Sequence, residues 1–490
     1  MSQLPAHIWP DTAAIVDGQL QIGGCDTVAL AAAHGTPLYL LDEATVRGAM
    51  RAYQQAFSEH YPGEYRVHYA SKALLTTALA RIVAEEGLGL DAVSGTELLI
   101  ARRAGLPLER VHLHGNAKTS AELERAIEWE VGAVVVDTFD ELAQLAALSA
   151  GRERPQGVLL RVAPGIDAHT HAHIATGGAD SKFGLPLGGL AAAAELVLDA
   201  PGLHLLGLHA HIGSQLFDGA AITMAVEVLV AQAAMLRDRY DYIVEEISPG
   251  GGLGVPYTAD MPATNIAAYA EAVAQAMRRA ATAHALPLPR LTIEPGRSIV
   301  ARAGVALYSV VGRKDGGYAT APDPGAGMGR KGEAVATPPA SIAHDPGAVV
   351  GRKGEAVATP PASIAHDPGA NASPLRYIHI DGGMADNIRP ALYGAVYTAM
   401  LANRAAEPPT TTYHVAGRYC ESGDVLLRDA PLPAAGPGDL LAVAVAGAYT
   451  LSMASTYNMV PRPPLLLVGN GQARVIVRRE TEEDLLARES

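Results

Sequence analysis

Basic charge is scarce in this chain. Its 490 residues hold 37 lysines and arginines against 51 acids, a net charge of −14. No cluster of basic residues stands out, so nucleic acid is not an expected partner. Cysteine is nearly missing: two thiols, Cys25 and Cys420. That excludes a disulfide framework and reads as a cytoplasmic chain. The opening residues "MSQLPAHIWPD" lack the basic and apolar blocks of a secretory signal. One uncharged run of membrane-spanning length exists, residues 440–461. It carries Thr450, Ser452, Ser455, Thr456 and Asn458, so it reads as buried core and a site-lining turn, and no membrane is expected. Lysine is the rarest cation, with six positions: Lys72, Lys118, Lys182, Lys314, Lys331 and Lys353.

What is present is a core: 49% of residues are hydrophobic and 18% charged. The length predicts two or three domains. Strand-like runs at 65–71, 89–93, 111–115, 133–137, 157–162, 204–212, 242–248 and 290–295 alternate with helix-like stretches such as 73–87, 119–129, 219–238 and 264–286. Eight such repeats predict a (β/α)8 barrel over 44–305, with an open doubly wound sheet as the alternative. The last third, 306–314 and 374–490, reads as a mostly β domain, and the strand-like residues in 1–43 are expected to join it. Residues 315–373 form a low-complexity insert. Within it "DPGAGMGRKGEAVATPPASIAHDPGA" (323–348) is repeated almost unchanged at 345–370, and its composition predicts a flexible surface loop.

A barrel carries its active site at the C-terminal ends of its strands. In this register those ends hold Lys72, Ser94, Asn116, His171, His211, the Gly250–Gly254 loop, Glu294 and Arg297. A lysine buried there can lose its proton and form a Schiff base. The glycines of "SPGGGLGV" can turn backbone N–H groups toward a phosphate, or form a plain strand-to-helix turn. Glu294 at the end of strand eight can keep a pyridine nitrogen protonated, with a rim salt bridge as the bland reading. The pairs His112/His114, His171/His173 and His209/His211 each put two imidazoles on one strand face, which keeps a metal hydrolase open as an alternative. No clustered acid or third ligand is evident in the sequence, and no metal is expected. Cys420, in the polar turn "RYCESGD", reads as an exposed thiol able to donate a proton.

The ordered motifs "YASKA", "HGNAK", "HAHIATGGADSKFG", "GLHAHIGSQ", "GGGLGVPY", "EPGRS", "DGGMADNIRPALYG", "CESGD" and "AGAYTLSMASTYN" resemble the diaminopimelate decarboxylases. These are fold-type III pyridoxal-phosphate enzymes, and the likeness runs from about residue 36 to 467 without the insert. The resemblance implies an alanine-racemase-like barrel, pyridoxal 5'-phosphate as cofactor, and conversion of meso-diaminopimelate to L-lysine and CO₂. It implies that Lys72 binds the cofactor aldehyde, His211 stacks on the ring and Glu294 meets its nitrogen. Ser214, Gly252, Pro295, Gly296, Arg297 and Tyr449 are implied around the phosphate. Arg297, Arg389, Tyr393 and Tyr449 are implied at the distal substrate carboxylate, and Glu421 at the distal ammonium. Cys420 is implied as proton donor, reaching with Glu421 into a partner subunit's site in a homodimer. An ornithine, lysine or arginine decarboxylase of the same fold is the nearest alternative. An inactive partner-binding homologue is disfavoured, since Lys72, Glu294 and Cys420 are all present.

Overall fold

The computed structural model describes residues 4–166, 182–315 and 375–489. His171, His173 and the tandem repeat at 323–370 lie outside the described residues. Met1–Lys314 and Tyr377–Ser490 belong to one compact unit.

The barrel strands are β1 (Tyr65–Ala70), β2 (Gly89–Ala92), β3 (Val111–Leu113), β4 (Ala133–Val136), β5 (Gln156–Ala163), β6 (Leu203–His209), β7 (Glu246–Gly250) and β8 (Arg290–Ile293). All pair in parallel with their chain neighbours, and β8 pairs back onto β1 through Leu291 and Tyr65. The sheet therefore closes, which decides against the open doubly wound alternative. Leu185–Pro186 adds a short ninth strand beside β5. β7 starts four residues later than the sequence suggests. The preceding helix, Ala220–Tyr240, ends on Asp241 in a left-handed conformation (φ 54°), so the chain straightens only by Glu246.

Local chemistry sets the helix starts. Thr76, Ser94, Thr119 and Thr138 each accept a hydrogen bond from a backbone N–H in the first turn of the helix after β1, β2, β3 and β4. Ser94, expected on the catalytic rim, is thus a helix cap. Helix Ala220–Tyr240 is long and apolar enough to cross a membrane. Here it lays Ile222, Val226, Leu229, Val230 and Leu236 against the protein interior, as a barrel helix does.

The second sheet runs in the order Val425–Leu432, Thr411–Ala416, Arg376–Ile380, Gly304–Asp315, Leu38–Asp42, Leu465–Gly469, Gln472–Val477. Leu38–Asp42 comes from the N-terminal part and lies inside the sheet, between Gly304–Asp315 and Leu465–Gly469, as expected. The earlier strands do not join it. Ala14–Val16, Gln19–Ile22 and Cys25–Asp26 form their own three-stranded antiparallel sheet. The reason is a close crossing: a Cβ on Gly23 would fall 2.8 Å from the Gly469 backbone, and Gly471 N–H donates to Gly23 O at 2.8 Å. That meander packs on the β domain without extending its ladder. The uncharged run at 440–461 contributes strand Leu440–Val443 and then turns, with no helix long enough to span a membrane.

Candidate active site

The barrel interior is polar. His68, Asp91, His112, His209, Glu246, Thr292 and Glu294 are all buried inside it, where barrels more often pack branched aliphatic side chains. At the C-terminal end of the strands a cavity of about 150 Å³ opens among Lys72, Asp91, His114, Arg161, His211 and Glu294. Lys72 sits on the single 3-10 turn Ser71–Ala73 that follows β1. The expectation of a buried lysine is corrected: the side chain is exposed at the cavity mouth.

The other two lysines on this side are already engaged. Lys118 Nζ donates to Gly115 O, Val135 O and Glu141 Oε1, each at 2.7 Å, with its side chain 1% exposed. Lys182 lies over the Phe183 ring at 4.8 Å. Of the three lysines that follow strands or loops on this side, Lys72 is the one lining the cavity.

Glu294 accepts from Ser248 Oγ at 2.6 Å and from His209 Nε2 at 3.1 Å. Burial alone pushes its carboxyl up. The positive potential of His209 and His114 and those two hydrogen bonds outweigh it, so the carboxyl lies well below the usual range. Burial pushes the His209 imidazole down. Glu294 opposes that shift through its charge and its hydrogen bond, and His209 Nε2–H donates to the anionic carboxylate. His211 is held well below its ordinary value, first by burial and then by Lys72 and Arg161. Its Nδ1 accepts from Gly251 N–H at 3.5 Å.

Glycine is required at the loop after β7. A Cβ on Gly250 (φ 84°) would lie 2.6 Å from His211 Nδ1, and one on Gly251 would lie 2.1 Å from Glu294 O. The loop therefore presses backbone against the imidazole and against the main chain at Glu294. Ser214 Oγ accepts from Arg297 Nε and Nη2 at 3.1 and 3.0 Å. Gly296 precedes the short helix Arg297–Val300, and Pro295 O accepts from Ala70 N–H at 3.1 Å.

Arg297 is the hub of a second group. Its Nη1 donates to Tyr257 Oη at 2.7 Å, and its guanidinium lies 4.7 Å from the Tyr449 ring centre. Tyr449 N–H donates to Ala73 O at 2.9 Å, next to Lys72, and its φ of 58° is uncommon for a non-glycine residue. Arg389 stacks on the same Tyr257 at 4.7 Å and donates to Tyr397 Oη at 2.7 Å. Tyr257 and Tyr397, not singled out in the sequence, join the two arginines. Tyr393 closes the short helix Arg389–Tyr393 one turn away.

Cys420 and Glu421 stand apart. The Cys420 thiol is exposed, and neither residue lines the cavity with Lys72. Cys420 N–H donates to Asn458 Oδ1 at 3.2 Å, and Glu421 Oε1 accepts from Tyr457 Oη at 2.5 Å.

The residues fit pyridoxal phosphate. An amine, a deprotonated acid held by two donors and an imidazole share one cavity. Beside it is a glycine loop that side chains would fill, with a hydroxyl and a guanidinium. The acid that a metal reading lacked in the sequence, as its third ligand, is present: His114, His209 and Glu294 converge, as do His68, Asp91 and His112. Within them Glu294 and Asp91 spend lone pairs on His209, Ser248 and His68.

Sequence comparison agrees with this chemistry. Residues 43–301 match the family "Pyridoxal-dependent decarboxylase, pyridoxal binding domain", and 349–447 match "Pyridoxal-dependent decarboxylase, C-terminal sheet domain". The chain is 40% identical to the diaminopimelate decarboxylase of Bacillus subtilis (strain 168), over 96% of this chain and 94% of that one. It is 42% identical to that of Actinosynnema pretiosum subsp. auranticum, over 99% and 96%. A crystal structure of diaminopimelate decarboxylase from M. jannaschii in co-complex with L-lysine superposes with a TM-score of 0.80 at 30% identity, covering 98% of each chain. By its barrel, its second sheet and these full-length likenesses, the chain belongs to the diaminopimelate decarboxylase family of pyridoxal-dependent decarboxylases.

Proposed function

We propose that this protein removes CO₂ from the D-centre of meso-2,6-diaminopimelate and releases L-lysine. The observation that carries the reading is the shared cavity of Lys72, His211 and Glu294, with Arg297 and Arg389 joined through Tyr257 beside it. A second carboxylate on the substrate suits that arginine pair, which ornithine would leave unused. The relatives' names support the same substrate.

Bound pyridoxal phosphate supplies an electron sink for the bond to the departing carboxylate. Lys72 Nζ is the amine that would hold its aldehyde. Glu294, anionic between His209 and Ser248, holds a proton at the ring nitrogen. His211 backs the ring. Ser214, Gly252, Gly296 and the Arg297 backbone bind the phosphate, with Tyr449. Arg297, Arg389 and Tyr393 hold the distal carboxylate, and Glu421 the distal ammonium. Cys420 gives its Sγ proton to the carbon that lost CO₂ and regains one from water. Because Cys420 and Glu421 do not line the cavity of their own chain, we assign them to the site of a second copy in a homodimer. We further assign the protein to the cytoplasm, and the domain division to 44–305 for the barrel and 306–314 with 374–490 for the sheet.

Turnover in D₂O tests the chemistry. Meso-diaminopimelate should give L-lysine carrying one deuterium at the ε-carbon, with the L-centre untouched. Release of CO₂ without lysine, or no turnover at all, would defeat the substrate assignment.

A further inference from the structure

A second cavity, of about 320 Å³, lies at the opposite end of the barrel, where β1, β2 and β3 begin. Arg66, His68, Gly89 and Arg110 line it, with Gln54 and Tyr65. None of these residues lines the catalytic cavity, though His68 reaches its wall through Asp91. The Arg66 guanidinium has one loose ion pair, at 3.5 Å, with the exposed Glu64, and Arg66 itself is half-buried. Such a pair holds an arginine weakly. Arg110 has no ion pair among the described residues.

His68 is fully buried, and its Nδ1 lies 3.2 Å from Asp91 Oδ1. Its Nε2 has no hydrogen-bond partner among the described residues. A Cβ on Gly89 would fall 2.4 Å from that nitrogen and 2.7 Å from Arg110 O. Glycine is required there for the ring to pack so closely, and His68 and Gly89 both line the cavity wall. An unmet buried polar atom is destabilising, and a ligand that meets it is favoured by the same amount.

We infer that this cavity binds a small anion, a carboxylate or phosphate group held by Arg66, Arg110 and the Nε2 edge of His68. Occupancy is communicated through one side-chain pair. An anion gripping one edge of His68 fixes the orientation whose other edge holds Asp91. Asp91 lines the catalytic cavity with Lys72.

Calorimetric titration of the holoenzyme with inorganic phosphate, and separately with malonate, tests this. The cofactor fills its own phosphate cradle, so that cradle contributes no signal. Saturable binding by at least one probe is expected, weakened about tenfold or more in Arg110→Gln. The variant should keep the visible cofactor absorbance and the anion-free turnover. Phosphate alone identifies a phosphate ligand, and malonate alone a carboxylate. Arg66→Gln should behave alike, and serves if Arg110→Gln does not fold. Absence of saturable binding by either probe overturns the site, as does undiminished binding in both variants. Saturating anion should also shift the substrate KM in the wild type and not in Arg110→Gln. An unchanged KM overturns the link through Asp91. The KM readout rests on the substrate proposed above, and the calorimetry does not.

Discussion

Replacing Glu294 by glutamine isolates its charge from its shape. The carboxylate has two donors, Ser248 Oγ at 2.6 Å and His209 Nε2 at 3.1 Å. An amide can keep both contacts: its oxygen accepts from His209, and its NH₂ donates to a Ser248 hydroxyl that turns to accept. The number of hydrogen bonds is preserved and only charge assistance is lost, about half the strength of each. Stability should therefore fall by roughly 1–3 kcal/mol, without loss of the fold. Catalysis should fall as well. The variant loses the anion proposed to hold a proton on the ring nitrogen, and removing one preorganised electrostatic partner costs about 10²- to 10³-fold in kcat. The assay is lysine formation under saturating substrate, alongside urea unfolding and the visible spectrum of the bound cofactor. A Glu294→Gln enzyme within about twofold of wild type in kcat would refute the role assigned to this acid. A variant that unfolds instead would refute the claim that its hydrogen bonds are preserved.

Other substitutions follow from the same geometry. Lys72→Ala should abolish borohydride-trapped cofactor on the chain. Lys118→Met should keep that attachment at Lys72 while losing stability, because it strands the buried Glu141 carboxylate without its cation. Mixing Lys72→Ala with Cys420→Ala subunits should restore up to about a quarter of wild-type sites, if each site takes its proton donor from the partner. No recovery in verified mixed dimers would place Cys420 in its own subunit's chemistry. Asp386 is buried against the Tyr39 and Tyr308 hydroxyls, and burial raises its carboxyl to about 6. A raised carboxyl stabilises the fold below its unfolded value and loses that contribution as pH rises through about 6. The difference amounts to about 3 kcal/mol. Urea midpoints of Asp386→Asn relative to wild type should therefore improve between pH 4 and 7, and a flat difference would contradict the assignment.

Much of the barrel was legible because its strands alternate with helices at a regular spacing and its helix starts carry hydroxyl caps. Strand β7 was misread because "YIVE" is apolar enough for a strand but belongs to the turn after a long helix. The separate N-terminal meander was not legible, since its placement depends on Gly23 meeting Gly469 across the fold. At the site, Lys72, His211 and Glu294 were found by their positions at strand ends. Tyr257 and Tyr397 were not, because a tyrosine that bridges two arginines carries no local signal. His209 was noticed as half of an H-x-H pair. Its actual contact, Glu294, lies 85 residues away and is fixed only when the barrel closes.

The most direct measurement is CO₂ release by one enzyme preparation given meso-diaminopimelate and, separately, ornithine. The account predicts rapid release from diaminopimelate and little from ornithine, with both lost in Lys72→Ala. Equal or faster release from ornithine would contradict the claim that the Arg297–Tyr257–Arg389 group selects a substrate with a second carboxylate.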